Sequence, residues 1–295
     1  MAKFFGDIED KFDDFFTLNY VAQDKFYVKV KANKFVGEVK MKGDNPELKA
    51  KFKHNAHVQD FKVDAEVALS SSGKHKFIGE WDLKDTVKDV EVKHTTNWNS
   101  QSNDHDTLVA LQFKGVDTAK LGLDFQYFRN GHWEATPHLA KEIQKGLSSA
   151  TDFTWDGKTS EIKDFKVGIE YEPNNWSKTW LSHHVGNPLA KDFKLGKIGS
   201  LSLCQRFNAS LKTQLGFDYN YNLNDKSSTL QVGIETSPAA GLTVKSKINS
   251  EGSIEAAAKI DTGNGWDVLV ALATHSASIS GKQEAQFGVG IEGKL

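Results

Sequence analysis

From Phe26 to Leu295 apolar and polar residues alternate along the chain, in segments of roughly eight to eleven residues. In the last segment Phe287, Val289 and Ile291 alternate with Gly288, Gly290 and Glu292. A strand has a side-chain period of two, so each such segment has one apolar and one polar face. The same pattern places Phe26, Val28 and Val30 opposite Tyr27, Lys29 and Lys31, and Phe35, Gly37, Val39 and Met41 opposite Glu38 and Lys40. Leu48, Ala50 and Phe52 oppose Lys49, Lys51 and Lys53, and Leu242, Val244 and Ile248 oppose Lys245 and Lys247. Turn residues such as Asn130-Gly131 and Gly263-Asn264-Gly265 separate the segments, and the five prolines read as lying at or near segment ends. We count about 17 to 20 strands. Two stretches read otherwise. Residues 139–160 contain LAKEIQKGLSSA, a candidate short helix, and 172–194 suggest a strand with a long loop.

Residues 3–18 have a different period. Phe5, Ile8, Phe12 and Phe15 or Phe16 recur every three or four positions, forming one narrow apolar stripe on a helix. Such a stripe needs a surface to lie on: a membrane interface, a partner, or the wall of the barrel that follows.

A chain of almost nothing but alternating strands predicts a closed barrel. A soluble barrel of more than about ten strands would have an interior too wide for side chains to fill. The expected architecture is therefore an all-β, large transmembrane antiparallel barrel, with an apolar exterior, a wet lumen and an N-terminal amphipathic helix. No linker divides the chain, so 1–295 reads as one domain, with the helix at 3–18 and the barrel from 25 onward. The contrasting expectation is a soluble β-rich binding protein. Trp81, Trp98, Trp133, Trp176 and Trp266 near strand ends suit interfacial girdles.

Composition changes this picture little. Mean hydropathy is −0.50. Together with the lack of any apolar run of 18 residues, it argues against a spanning helix but not against a barrel. The single cysteine, Cys204, leaves no thiolate cluster. A formal net charge of −2 gives no reason to expect nucleic acid. The acidic N-terminus has no secretory apolar core and does not resemble a matrix presequence. No catalytic or cofactor motif emerges, and the chain reads as a non-enzyme without cofactors. His183-His184 read as a loop in water, and His54 and His57 as flanking a turn. The remaining chemistry is electrostatic. The candidate lumenal residues are Lys29, Lys31, Lys40, Lys49, Lys51, Lys53, Lys245 and Lys247, opposed by a helix of net −3. Rings of lysine attract nucleotides and small anionic metabolites, but screening over about 8–10 Å keeps the preference weak.

The two ends of the chain resemble the mitochondrial porins, the voltage-dependent anion channels. QFGVGIEG at 286–293 is similar to that family's terminal strand, and GLTVKSKINSEGSIEAAAKI at 241–260 to its penultimate hairpins. The N-terminal helix, Tyr20 and the lysine-rich first strand fit as well. The resemblance implies 19 strands with the first and last parallel, and a helix inside the pore resting on Phe5, Ile8, Phe12 and Phe16. It implies an outer-membrane insertion signal that includes Gln286, Gly288 and Ile291. It also implies a voltage-gated diffusion channel of the mitochondrial outer membrane, in contact with membrane lipid and in oligomers or outer-membrane complexes. A structural, non-conducting paralogue or a protein-translocating barrel shares the fold. The chain departs from the family in its slight acidity, its acidic helix and Gly293 in place of an apolar residue.

Overall fold

The computed structural model describes residues 3–17, 26–42, 45–58, 61–82, 90–116, 118–185, 199–275 and 285–294. Helix α1 spans Phe5–Thr17. The strands of the first half are β1 Phe26–Ala32, β2 Phe35–Lys42, β3 Asn45–Val58, β4 Phe61–Ser70, β5 Lys74–Asp82, β6 Val90–Asn99, β7 Asp104–Val116, β8 Ala119–Phe128 and β9 Trp133–Gln144. Those of the second half are β10 Leu147–Asp156, β11 Glu161–Asn174, β12 Ser177–His184, β13 Ser200–Ser210, β14 Thr213–Asn222, β15 Ser228–Ala239, β16 Leu242–Asn249, β17 Ser253–Asp261, β18 Trp266–His275 and β19 Gln286–Lys294.

Each strand pairs with its sequence neighbours antiparallel, and β1 closes the ring by pairing with β19 in parallel. With 19 strands an antiparallel closure is impossible, because the first and last strands run the same way. At the seam Phe26 lies opposite Val289, Val28 opposite Ile291 and Lys29 opposite Glu292. Closure leaves no edge of unpaired backbone groups, which a sheet in hydrocarbon could not tolerate.

Alternation assigns the faces. Phe26, Phe35, Leu48, Phe52, Leu121, Leu215, Val232 and Phe287 are exposed on the outside, Leu48, Leu121 and Phe287 by more than half. Their strand neighbours Tyr27, Lys49, Lys51, Lys53, Gly122, Gly216, Gly233 and Gly288 point the other way. Trp98 and Trp133 lie on the outer face near one end of the barrel and Trp266 near the other, where Trp176 is exposed in the turn between β11 and β12. Trp81 is on a strand but outside the side chains described.

Four sequence readings are corrected here. LAKEIQKGLSSA is no helix: it is the end of β9, a turn at Lys145-Gly146 with Gly146 at φ 81°, and the start of β10. Leu139 and Ile143 are both exposed, as residues on one face of a strand are, so the apparent helical spacing was strand alternation. Pro137 is inside β9, not at its end. It has no N–H to give, and the β9–β10 ladder is interrupted between His138↔Asp152 and Ala135↔Trp155, with the register unchanged across the gap. His54 and His57 lie within β3 and do not flank a turn, and His183 and His184 lie within β12, not in a loop. The long loop expected before residue 194 falls partly on 186–198, outside the described residues.

Candidate functional site

The lumenal wall is charged and largely paired with itself. Lys29 Nζ is 3.9 Å from Glu292, Lys40 3.2 Å from Glu38, and Lys49 3.5 Å from Glu47. Lys51 contacts Glu66, which also lies 3.6 Å from Lys53. Farther round, Lys245 meets Glu235 at 2.6 Å, Lys247 meets Glu255 at 3.3 Å and Lys259 meets Asp267 at 2.8 Å. Four of these eight pairs, Lys29–Glu292, Lys53–Glu66, Lys245–Glu235 and Lys247–Glu255, lie directly opposite one another in the register, so there the ladder itself sets the spacing. All eight predicted lumenal lysines lie on this face: the seven above and Lys31, which alternates with Val30 on β1. A cavity of about 500 Å³ lies among Lys29, Lys31, Lys49, Lys51 and Lys53. At one mouth the Asp225 carboxylate accepts hydrogen bonds from the Ser227 hydroxyl and backbone N–H, which hold it below the usual carboxylate range.

Helix α1 lies inside this wall. Its stripe residues Phe5, Ile8, Phe12 and Phe16, together with Phe4 and Phe15, are all buried, and Ile8 is 0 % exposed. The wall they rest on is the lumenal face. Phe5 meets Trp180 edge-on at 5.0 Å between centroids, and Phe4 lies 5.7 Å from the His138 ring. Phe15 sits under the Arg206 guanidinium at 4.9 Å and against Gly216 and Gly233, which are register partners on β14 and β15. These two glycines make a shallow dent that a side chain would fill.

Polar contacts fix the helix at both ends. Lys3 Nζ donates to both Glu170 oxygens at 3.1 Å. Glu170, only 4 % exposed, also binds Lys178 at 2.7 Å. The helix has no basic residue in its last turn, where free carbonyls favour positive charge. The wall supplies it: Lys247 Nζ donates to the Phe16 carbonyl at 2.8 Å, while at mid-helix Arg206 donates to the Lys11 carbonyl at 2.9 Å.

The predicted stripe and the lysines of β16 are thus brought together, whereas the lysines of β1 to β3 form a separate patch of wall. Of the proposed insertion residues, Gln286 and Gly288 alternate onto the lumenal side and Ile291 onto the outer side, between Val28 and Val268. Sequence reading placed Glu170 on the lumenal face but missed Trp180, Lys178, Arg206 and His138. Trp180 could have been found from its alternation with Thr179 and Leu181, but Pro173 and the paired asparagines that follow obscured the strand. His138 bridges Asp124 at 3.3 Å and Asp152 at 2.9 Å on the wall beneath Phe4.

A closed barrel with an apolar exterior and a charged lumen fits a channel or porin-like role. Compared with known proteins, the chain matches no family model and no curated protein.

Proposed function

We propose that this protein is a diffusion channel of the mitochondrial outer membrane, related to the voltage-dependent anion channels, that passes ions and small anionic metabolites. The observation that carries the reading is the sorting of side chains: large apolar residues outside, an ion-paired lumen inside, and an amphipathic helix docked on the charged wall. An exterior carrying this many exposed aromatic and aliphatic side chains is stable in lipid and not in water. The odd strand count with its parallel seam, and the resemblance of both chain ends, support the family assignment and hence the location.

Selectivity follows from the pairing. A lysine whose carboxylate partner sits within 4 Å presents a dipole to a passing ion rather than a full charge. The lysine cluster of β1 to β3 therefore favours nucleotides and carboxylates weakly, and salt weakens the preference further. The helix bears a formal −3 and lies within the transmembrane field, a candidate voltage-sensing element. Reconstitution into planar bilayers tests the reading. Expected are stepwise conductance, a small anion-directed reversal potential under a salt gradient, and closure to lower conductance at high voltage. A folded barrel that conducts nothing, or a protein soluble without detergent, contradicts it.

A further inference from the structure

At the mouth where β8 turns into β9, three side chains of different chemistry converge. His132 comes from the turn, Glu134 from the second position of β9, and Asp156 from the last position of β10. Glu134 and Asp156 are register partners, so their carboxylates lie side by side on the lumenal face. One ligand atom from each of the three residues lies within 4.8 Å of the others. His132 Nε2 is 3.1 Å from Glu134 Oε1, and Nδ1 is 3.6 Å from Asp156 Oδ1. The second distance is too long for a hydrogen bond, and Nδ1 is enclosed with no hydrogen-bond partner among the described residues.

The ring is held in place. It stacks on Phe128, with centroids 5.2 Å apart and planes at 23°. The His132 backbone N–H donates to Asn130 Oδ1 at 3.0 Å, which fixes the turn. Asp156 Oδ1 is likewise fixed, accepting from the backbone N–H groups of Lys158 and Thr159 at 2.8 and 3.0 Å. An imidazole held beside two carboxylates at the edge of a wet lumen is a donor set for a divalent transition metal.

We propose that His132, Glu134 and Asp156 form a binding site for Zn²⁺ or a similar borderline-soft divalent cation at this mouth of the barrel. The ligands of a tetrahedral zinc sit about 3.4 Å apart, given bonds of about 2.1 Å. The three donors, now within 4.8 Å of one another, close by up to about 1.4 Å on binding, and water completes the shell. The Lys163 ammonium now stands 2.6 Å from Glu134 Oε1 as the cation of the cluster. Its side chain is more than half exposed, so it can swing into water when the metal arrives. Metal and Lys163 therefore compete for one carboxylate. This competition distinguishes a metal site from an ordinary ion-pair cluster, in which Lys163 is simply a partner.

The test is calorimetric titration of ZnCl₂ into the full-length barrel, stripped of metal, in detergent micelles. Co²⁺ absorption serves as a second readout of coordination. It reads binding alone, independently of whether the barrel conducts. The wild type should bind one Zn²⁺ per barrel. His132→Gln and Asp156→Asn should each abolish that isotherm. Lys163→Met should tighten it by roughly two- to fivefold, the worth of an exposed ion pair. His184→Gln, which removes another histidine paired with an aspartate at the lumenal wall, should leave it unchanged. Circular dichroism of each variant reports that the barrel is intact. No binding by the wild type, binding retained in His132→Gln, or equal loss in His184→Gln would overturn the proposal. Weakened binding in Lys163→Met would overturn the competition with Lys163.

Discussion

Alanine at Gly216 should release the helix from the wall without harming the barrel. A Cβ there would lie 2.2 Å from Phe15 Cε1, more than 1 Å inside ordinary contact. The Phe15 ring has little room to give. Phe16 packs edge-on against it at 5.0 Å, Arg206 covers it, and the neighbouring dent at Gly233 already holds both rings. Overpacking of this kind costs about 1–3 kcal/mol. That cost falls on the docked state alone, because strand interiors accept alanine and lose less chain entropy with it than with glycine. It corresponds to an increase of about 5- to 150-fold in the undocked fraction. The assay uses Ile8→Cys on a Cys204→Ser background, with a water-soluble thiol reagent. Ile8 is fully covered when α1 is docked, so labelling proceeds through the undocked state and its rate should rise by that factor. An unchanged rate, with the barrel intact by circular dichroism, would refute the placement of Phe15 in the Gly216–Gly233 dent.

Deleting residues 1–20 should raise conductance and shift the reversal potential toward anions, because a formal −3 leaves the lumen; a shift toward cations would place the helix elsewhere. Cysteines at Val28 and Ile291, opposite one another across the parallel seam, should crosslink on the Cys204→Ser background, whereas Val28 with Val289 should not. The reverse result on non-reducing gels would mean a register slip at closure. Glu170→Gln takes the buried carboxylate from Lys3 and Lys178, leaving them Glu172 at 3.7 and 3.2 Å, and should cost about 1–3 kcal/mol, read as a lower midpoint in denaturant. An unchanged midpoint would show that this triad contributes nothing to docking.

The faces of the barrel were legible because alternation is local. Lys49, Lys51 and Lys53 differ from Leu48, Ala50 and Phe52 within six residues, and nothing distant is needed to sort them. The stripe of α1 was legible for the same reason. What the stripe rests on was not. Phe5 meets Trp180 and Lys3 meets Glu170, partners about 170 residues away that only barrel closure brings together. Local patterns also misled where a strand carried residues suited to something else. LAKEIQKGLSSA has helix-forming residues, yet pairing on both sides of the β9–β10 hairpin holds it extended. Pro137 stays within β9 at the cost of an interrupted ladder. The His132 cluster was hidden because its members come from a turn and two strands, 24 residues apart at most, with no motif spacing to mark them.

Single-channel recording with a cysteine on each face tests the central claim most directly. Lys51→Cys puts a thiol on the lumenal wall, and Val232→Cys puts one on the outer face, both on the Cys204→Ser background. A negatively charged methanethiosulfonate added to the bath should lower the current of open Lys51→Cys channels in one step and turn their selectivity toward cations. It should leave Val232→Cys channels untouched, because lipid covers that position. Modification of Val232→Cys but not Lys51→Cys, or currents in which neither residue matters, would contradict a water-filled lumen bounded by the lysine face.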